Sequence, residues 1–298
     1  MPKIVYIDQS GKEYTATQFI RYIETKVKRT IRKYDMIGNN DTFVVAMSGG
    51  KDSLTVAHIL NTILAPRGAK LHALLIDEGI PGYRPTTVVD AEKFCKQEGI
   101  PLTIVYTKKE FTFDLTDALK KLKLNSCTIC GTMRRYLLNK YSRKLKATKL
   151  VTGHNLDDEA QTLLMNHYKG QGALSAKLGP VTGIVDHKKF VRRIKPLYFI
   201  TEQEVTLYTV LKKFAVKYTE CPHARDTFRS TVREQLNILE NKFRGTKQGI
   251  VNSFLATLPQ LRKIVQQSAI IPCEVCGEPS SKKECSMCLL LDKYKLKS

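Results

Sequence analysis

Short apolar runs alternate with amphipathic stretches over most of this chain. Phe43-Val44-Val45-Ala46-Met47 is a β-branched, apolar run, and Leu54-Thr55-Val56-Ala57-His58-Ile59-Leu60 carries the spacing of a helix face. Strands are predicted over 42–47, 71–76, 102–106 and 148–152, and helices near 53–64, 86–97, 131–145 and 156–168. The alternation predicts βαβ units, hence an α/β fold with a parallel sheet and helices on both faces. Ahead of it, 3–7 reads as a small strand. Thr15 to Asp35 reads as a basic amphipathic helix whose Phe19, Ile20, Ile23, Val27 and Ile31 are spaced for core packing. Gly38-Asn39-Asn40-Asp41 is a turn. A helical region follows over about 201–214 and 226–266, with Cys221-Pro222 at a break, and a cysteine-rich tail over 271–298.

In parallel α/β sheets ligands bind beyond the carboxyl ends of the strands. Three polar segments fall there and should converge: Ser48-Gly49-Gly50-Lys51-Asp52-Ser53, Ile76-Asp77-Glu78-Gly79, and Thr152-Gly153-His154-Asn155-Leu156-Asp157-Asp158-Glu159. The first lies at a strand-to-helix turn. Its glycines allow close backbone approach, and the amides and positive dipole end of the following helix suit an anion. Ser48 and Ser53 add hydroxyl donors, Lys51 a positive charge, and Asp52 a carboxylate able to orient the loop or hold Mg²⁺. The spacing departs from the Walker loop, which needs four residues between its Gly and Gly-Lys-Ser/Thr. It resembles instead the SGGxDS pyrophosphate loop (PP-loop) of the N-type ATP pyrophosphatases, which cleave ATP to AMP and pyrophosphate.

Lys and Arg number 49 against 28 Asp and Glu, a formal charge of +21 over 298 residues. The excess recurs in segment after segment, as in Lys26-Val27-Lys28-Arg29, Arg134-Arg135 and Arg192-Arg193, and points to a polyanionic partner such as nucleic acid. Thirteen Tyr and eleven Phe supply aromatics for base stacking. No apolar run reaches the roughly 20 residues of a membrane span. The first residues lack a signal-peptide pattern, so a cytoplasmic location without membrane contact is expected. There, eight cysteines read as metal ligands or redox groups rather than disulfides.

The cysteines divide into two sets. Cys273-x2-Cys276-x8-Cys285-x2-Cys288 holds two paired knuckles within sixteen residues, the pattern of a structural Zn²⁺ site in a segment too short for its own core. Cys127-x2-Cys130 stands apart, ahead of a helix predicted from Thr132, and Cys221 is its candidate third partner. Cys95 sits mid-helix as a buried small hydrophobe. From chemistry alone this second set suits either a redox dithiol or a [4Fe–4S] cluster with one iron left open.

The PP-loop, Asp77-Glu78-Gly79-Ile80 with Gly82-Tyr83-Arg84, Cys127 to Arg135, Gly153 to Ala160 and the single Cys221 occur in that order. Together they resemble the tRNA 2-thiolation enzymes of the TtcA/TtuA/NcsA superfamily over about residues 40–290. The C-terminal double knuckle favours the 2-thiouridine branch. The resemblance implies two steps. The target uridine's O2 is adenylated by ATP with release of pyrophosphate, and sulfur supplied at a [4Fe–4S] cluster then displaces AMP at C2. It assigns Cys127, Cys130 and Cys221 to that cluster. Phosphate goes to Ser48, Gly49, Gly50, Lys51 and Ser53, and Asp52 acts directly or through Mg²⁺. Asp77, Gly153 and His154 line the nucleotide site, Arg134 faces developing phosphate charge, and Asp157 orients the base or a metal. Helix capping is the other reading of Asp157-Asp158-Glu159.

The corresponding segments are a basic helical extension over 1–40, a PP-loop ATP pyrophosphatase domain over 41–200, a helical region completing the catalytic and tRNA-binding unit over 201–270, and a zinc-binding module over 271–298. Two departures bear on the resemblance. Residues 1–40 hold no cysteine or histidine where this branch commonly opens with a zinc finger, and Arg134 stands where relatives often carry Lys. The implied partners are tRNA, a sulfur donor (a ubiquitin-like thiocarboxylate carrier or sulfide) and a second copy in a homodimer. A T-loop uridine is favoured over the wobble uridine. Two competing readings are a PP-loop enzyme that amidates or ligates a small molecule, and a non-enzymatic RNA-binding zinc protein. The first needs neither the charge nor the lone CxxC, and the second leaves the PP-loop without a purpose.

Overall fold

The computed structural model of the chain describes residues 3–182, 189–218, 220–224, 227–265 and 270–295. A hairpin of β1 (Ile4–Ile7) and β2 (Glu13–Thr15) leads into α1 (Ala16–Lys33), whose start is fixed by a capping box between Thr15 and Gln18. The main unit then runs β3 (Phe43–Met47), α2 (Lys51–Leu64), β4 (Leu71–Asp77), α3 (Arg84–Glu98) and β5 (Leu102–Tyr106). It continues through α4 (Thr107–Phe111), α5 (Leu115–Lys121), α6 (Ser126–Lys144), β6 (Lys149–Val151), α7 (Leu156–Tyr168) and α8 (Gly172–Ser175). Next come β7 (Val181–Thr182), β8 (Arg192–Ile194), α9 (Glu202–Leu211), α10 (Phe228–Lys242) and α11 (Thr246–Ile264). The tail is β9 (Ile271–Pro272), β10 (Pro279–Ser280) and α12 (Ser286–Lys295).

The sheet order is β5-β4-β3-β6-β8-β7, parallel except for β7 against β8. Central β3 is apolar along its length because helices cover both its faces. One face, with Val45, packs against α2, α1 and α9. The other, with Val44 and Leu150, packs against α6 and the cysteine-rich tail. A third cluster joins α7, α10 and α11 through Leu156, Tyr198, Leu236 and Val251. On α1, Phe19, Ile23 and Val27 are wholly buried in the core shared with the sheet, as their spacing predicts.

The strand order reverses between β3 and β6. That opens a crevice at their carboxyl ends, where such sheets bind ligands. Two of the predicted helices differ from expectation. Helix α6 starts at Ser126 rather than near Thr132, because the Asn125 side chain accepts from the Cys127 amide at 2.9 Å and caps it early. Both cysteines of the CxxC pair therefore lie in its first turns. The helical stretch expected over 226–266, whose end residues 226 and 266 lie outside the described residues, is broken after Lys242. There the chain turns through Gly245 at φ +90°, a left-handed conformation suited to glycine. Among the described residues no helix is long and apolar enough to cross a membrane.

Candidate active site

The segments that follow β3 and β6 meet in the crevice. Gly49 has φ +80°, and a Cβ there would lie 2.2 Å from the Thr87 carbonyl oxygen on α3. Any side chain would push the loop off α3. A Cβ on Gly153 would come within 2.8 Å of the Asp52 backbone, so this glycine lets the two loops touch. Ser53 Oγ donates to the Gly50 carbonyl at 2.8 Å and lies 3.2 Å from the Ser48 amide, closing the turn on itself. Asp52 sits in the first turn of α2, and its Oδ1 accepts from Asn155 Nδ2 at 2.8 Å. Sequence reasoning placed these residues together, and the fold does so.

Other side chains take partners the sequence left unread. Lys51 Nζ lies 3.0 Å from both Asp52 Oδ2 and Glu202 Oε1, 151 positions away. Glu202 also pairs with Arg233 at 2.9 Å, and Arg233 reaches Glu220, the neighbour of Cys221, at 2.8 Å. Burial raises the Glu202 pKa, but Lys51 and Arg233 outweigh it and hold the carboxyl low. Asp157 is buried, and both its oxygens are taken by protein partners. One oxygen binds Lys247 on α11, and the other accepts from the Glu202 amide at 2.8 Å. It fastens α7 to α9 and α11. Asp77 Oδ1 accepts from Gly79 N at 2.8 Å and shapes the turn after β4.

Asp158 completes the capping box with Asn155 and faces the crevice. Burial, then the charge of Asp52, raise its pKa to about 6. His154 sits at an open mouth yet is crowded by protein. Burial first, and then Lys195, Arg134, Arg229 and Arg193, lower its pKa to about 3. The crevice is therefore cationic around a neutral imidazole, an environment that favours phosphate groups.

Glu78 is fully buried at the centre of the site. It pairs with Arg84 through Oε2, while Arg134 Nε approaches Oε1 at 3.2 Å. Arg84 Nη1 donates to the Ser48 carbonyl at 3.0 Å, and the Cys130 thiol lies 3.8 Å from Glu78 Oε1. One buried network thus runs from the glycine loop to the cysteine pair. The segment Asp77 to Arg84 was visible in the sequence. That Glu78 bridges two arginines was not, because Arg134 comes from another helix.

Cys127, Cys130 and Cys221 gather beside this network. Cys221 lies in the Glu220–Ala224 segment between α9 and α10, docked on α6 where Ser126 Oγ donates to the His223 carbonyl at 3.4 Å. Cys221 is within electrostatic range of both Cys127 and Cys130. Burial, then Glu78, push the Cys130 thiol up to about 12. The three sulfurs do not close to the spacing of one ion's ligands, as the tail cysteines do. In the tail, Cys273, Cys276, Cys285 and Cys288 bring their four sulfurs within 4.8 Å of one another. The Cys285 amide donates to Cys273 Sγ at 3.2 Å and the Cys288 amide to Cys285 Sγ at 3.4 Å, which favours thiolates. This set fits one tetrahedral metal ion.

Comparison with known proteins agrees with this geometry. A family model described as a PP-loop domain matches residues 21–239. The chain is 35% identical over 270 residues to the tRNA-5-methyluridine(54) 2-sulfurtransferase of Pyrococcus horikoshii, covering 91% of this chain and 84% of that protein. It is 33% identical over 288 residues to cytoplasmic tRNA 2-thiolation protein 1 of Caenorhabditis elegans, covering 95% and 76%. Among solved structures, the U34-tRNA thiolase NcsA from Methanococcus maripaludis with its [4Fe-4S] cluster superposes with a TM-score of 0.82 at 33% identity, over 98% of this chain and 93% of that one.

Proposed function

This chain belongs to the PP-loop family of tRNA 2-thiolation enzymes, and on that premise we propose that it adenylates a tRNA uridine and replaces the C2 oxygen with sulfur. The observation that carries the reading is the buried network Ser48–Arg84–Glu78–Cys130, which ties the nucleotide loop to the cysteine site. In the first step the uridine O2 bonds to the α-phosphorus of ATP and pyrophosphate leaves. In the second, sulfide bonds to C2 and the C2–O bond breaks, with AMP as leaving group. Activation is needed because a carbonyl oxygen is a poor leaving group and AMP a good one.

The loop amides of Gly49 and Gly50, with the Ser48 and Ser53 hydroxyls, hold the pyrophosphate moiety at the N-terminus of α2. Asp52, whose charge acts on the neighbouring Asp158, would hold Mg²⁺ with it, a reading supported by the charge coupling of the two carboxylates. Lys51 orients Asp52 and holds Glu202. Arg134 faces charge developing on the α-phosphate. Gly153 permits close approach of the two loops, His154 contributes a neutral ring to the crevice, and Asp77 shapes the turn. Asp157 acts as a positioning residue through Lys247. Cys127, Cys130 and Cys221 would hold a [4Fe–4S] cluster, which would supply an iron able to bind sulfide for transfer. The tail cysteines hold Zn²⁺ as a structural ion.

The target is a T-loop uridine, supported by the Pyrococcus relative's name and by the segments Arg134 to Asn139 and Asn155 to Glu159. The name of the Methanococcus structure favours the wobble uridine as the competing target. A ubiquitin-like thiocarboxylate carrier or sulfide is the donor, a homodimer the assembly and the cytoplasm the location, the last supported by the name of the Caenorhabditis relative. The test is metal and acid-labile sulfide content after anaerobic purification, with an absorption spectrum. About four irons and four sulfides beside one zinc are expected. Zinc alone, even after reconstitution, would overturn the cluster assignment. Asp52→Ala should abolish AMP formation while tRNA binding persists, and full thiolation by that variant would sink the adenylation step.

A further inference from the structure

A cavity of 720 Å³ lies between α6, β8, α8 and the cysteine-rich tail, on the sheet face opposite α2. Its walls mix apolar side chains such as Leu174, Phe190 and Met287 with the cations Arg135 and Arg193. Neither arginine has a carboxylate partner among the described residues. Among the described residues the one acid in the lining, Glu278, is taken by Arg143, whose Nη1 lies 2.8 Å from Glu278 Oε2. Arg135 folds its guanidinium back over Gly131, within 3.1 Å of where a Cβ would stand, so the glycine leaves it room. Arg135 and Arg193 line the same space, and burial, then the charge of Arg135, lower the Arg193 pKa to about 10. Arg135 directly follows Arg134 on α6, the helix that also carries Cys127 and Cys130, so one helix borders both this cavity and the cationic crevice.

Two guanidiniums with no carboxylate partner among the described residues, beside an apolar wall, suit a phosphate joined to a planar base. We propose that this cavity is a subsite of the RNA substrate, taking a nucleotide next to the target uridine with its phosphate on Arg135 and Arg193. The proposal rests on the tRNA reading above. The formal charge of +21 favours a polyanion over a free nucleotide. ATP has its own loop at the switch point.

The test uses full-length, metal-replete protein and the double variant Arg135→Gln/Arg193→Gln, with tRNA affinity measured across a salt series. Loss of two phosphate contacts should weaken binding by about tenfold or more at moderate salt and flatten the slope of log K against log salt by about 1.4 to 2. ATP affinity and iron and zinc content should stay as in the wild type. Unchanged tRNA affinity and slope would overturn the proposal, as would loss of ATP affinity with tRNA binding intact. A readout independent of variant folding is arginine modification by phenylglyoxal in the wild-type protein, mapped by mass spectrometry. Arg135 and Arg193 should be shielded by tRNA but not by ATP. Equal labelling with and without tRNA, or shielding by millimolar inorganic phosphate alone, would sink the RNA subsite. A wild-type protein that binds no tRNA would instead overturn the functional reading and the subsite with it, whereas thiolation with both arginines unshielded would overturn only the subsite.

Discussion

Glu78→Gln removes the charge at the centre of the network that joins the nucleotide loop to the cysteines. Glu78 is 0% exposed and Arg84 4%, while Arg134 is 39% exposed. Removing one partner of a buried ion pair typically costs about 3–5 kcal/mol, because the other charge is left uncompensated. Arg134 remains open to water and adds only about 0–1 kcal/mol. A glutamine keeps one oxygen to accept from Arg84, so the expected loss lies near the lower end, about 3 kcal/mol. The pH dependence follows from the direction of the shift. Burial alone would raise the Glu78 pKa, but Arg134 and Arg84 outweigh it and hold it below the ordinary 4.5. Its stabilising contribution is therefore fully present above about pH 4.5 and is lost as pH falls through the lowered value. Urea unfolding of zinc-replete protein, followed by circular dichroism, should show a gap between wild type and variant that is constant from about pH 5.5 to 8 and narrows below pH 4.5. Glu78→Gln combined with Arg84→Met should cost less than the sum of the single changes, since the pair is coupled. A variant within about 1 kcal/mol of wild type at pH 7, or a gap undiminished in acid, would refute the argument.

Gly49→Ala should reduce affinity for a non-hydrolysable ATP analogue by at least about tenfold, since left-handed backbone costs a Cβ residue roughly 1–2 kcal/mol before the contact with Thr87 is counted. Unchanged calorimetric affinity would show the loop adjusting freely. Lys247→Met strands the buried Asp157 and should cost about 3 kcal/mol of stability. If its urea midpoint is unmoved while AMP formation is lost, Asp157 serves the chemistry directly. Asp158 carries a raised pKa, so its ionisation costs stability above its ordinary value, and protonation relieves that cost as pH falls through about 6. Asp158→Asn should accordingly gain about 1 kcal/mol over wild type at pH 7.5, discounted for partial exposure, an advantage that narrows as pH falls below about 6 and is lost only near the ordinary value of 3.8; a pH-independent difference would contradict the shift. Cys276→Ser should lower zinc content and leave iron in place, and loss of both metals together would tie the tail to the cluster site.

Much of the site could be read from local pattern. The PP-loop, the segment after β6 and the CxxC pair each sit at the end of a strand or the start of a helix, where short-range rules apply. The capping of α6 is also local, but the expected start near Thr132 missed it because Gly131 reads as a helix boundary, whereas Asn125 sets the true one. The role of Asp157 went the other way. Its place in an acidic first turn suggested a group facing substrate or a cap, and its partner Lys247 is 90 positions away. Strands β7 and β8 were not predicted. They are two and three residues long, too short for a two-residue period to stand out.

The sequence by itself determined the α/β alternation, the crevice-forming loops, the paired spacing of the four tail cysteines and the family resemblance. Each depends on spacing within a few residues, or on the order of segments along the chain. Only the tertiary structure decided which charges meet: Lys51 with Glu202, Arg84 and Arg134 on Glu78, Asp157 with Lys247, and Arg135 with Arg193 in one cavity wall. Charged side chains carry no periodic signal that names their partners. Their pairing is set by which helix packs over which strand, and burial then fixes how strongly each pair acts.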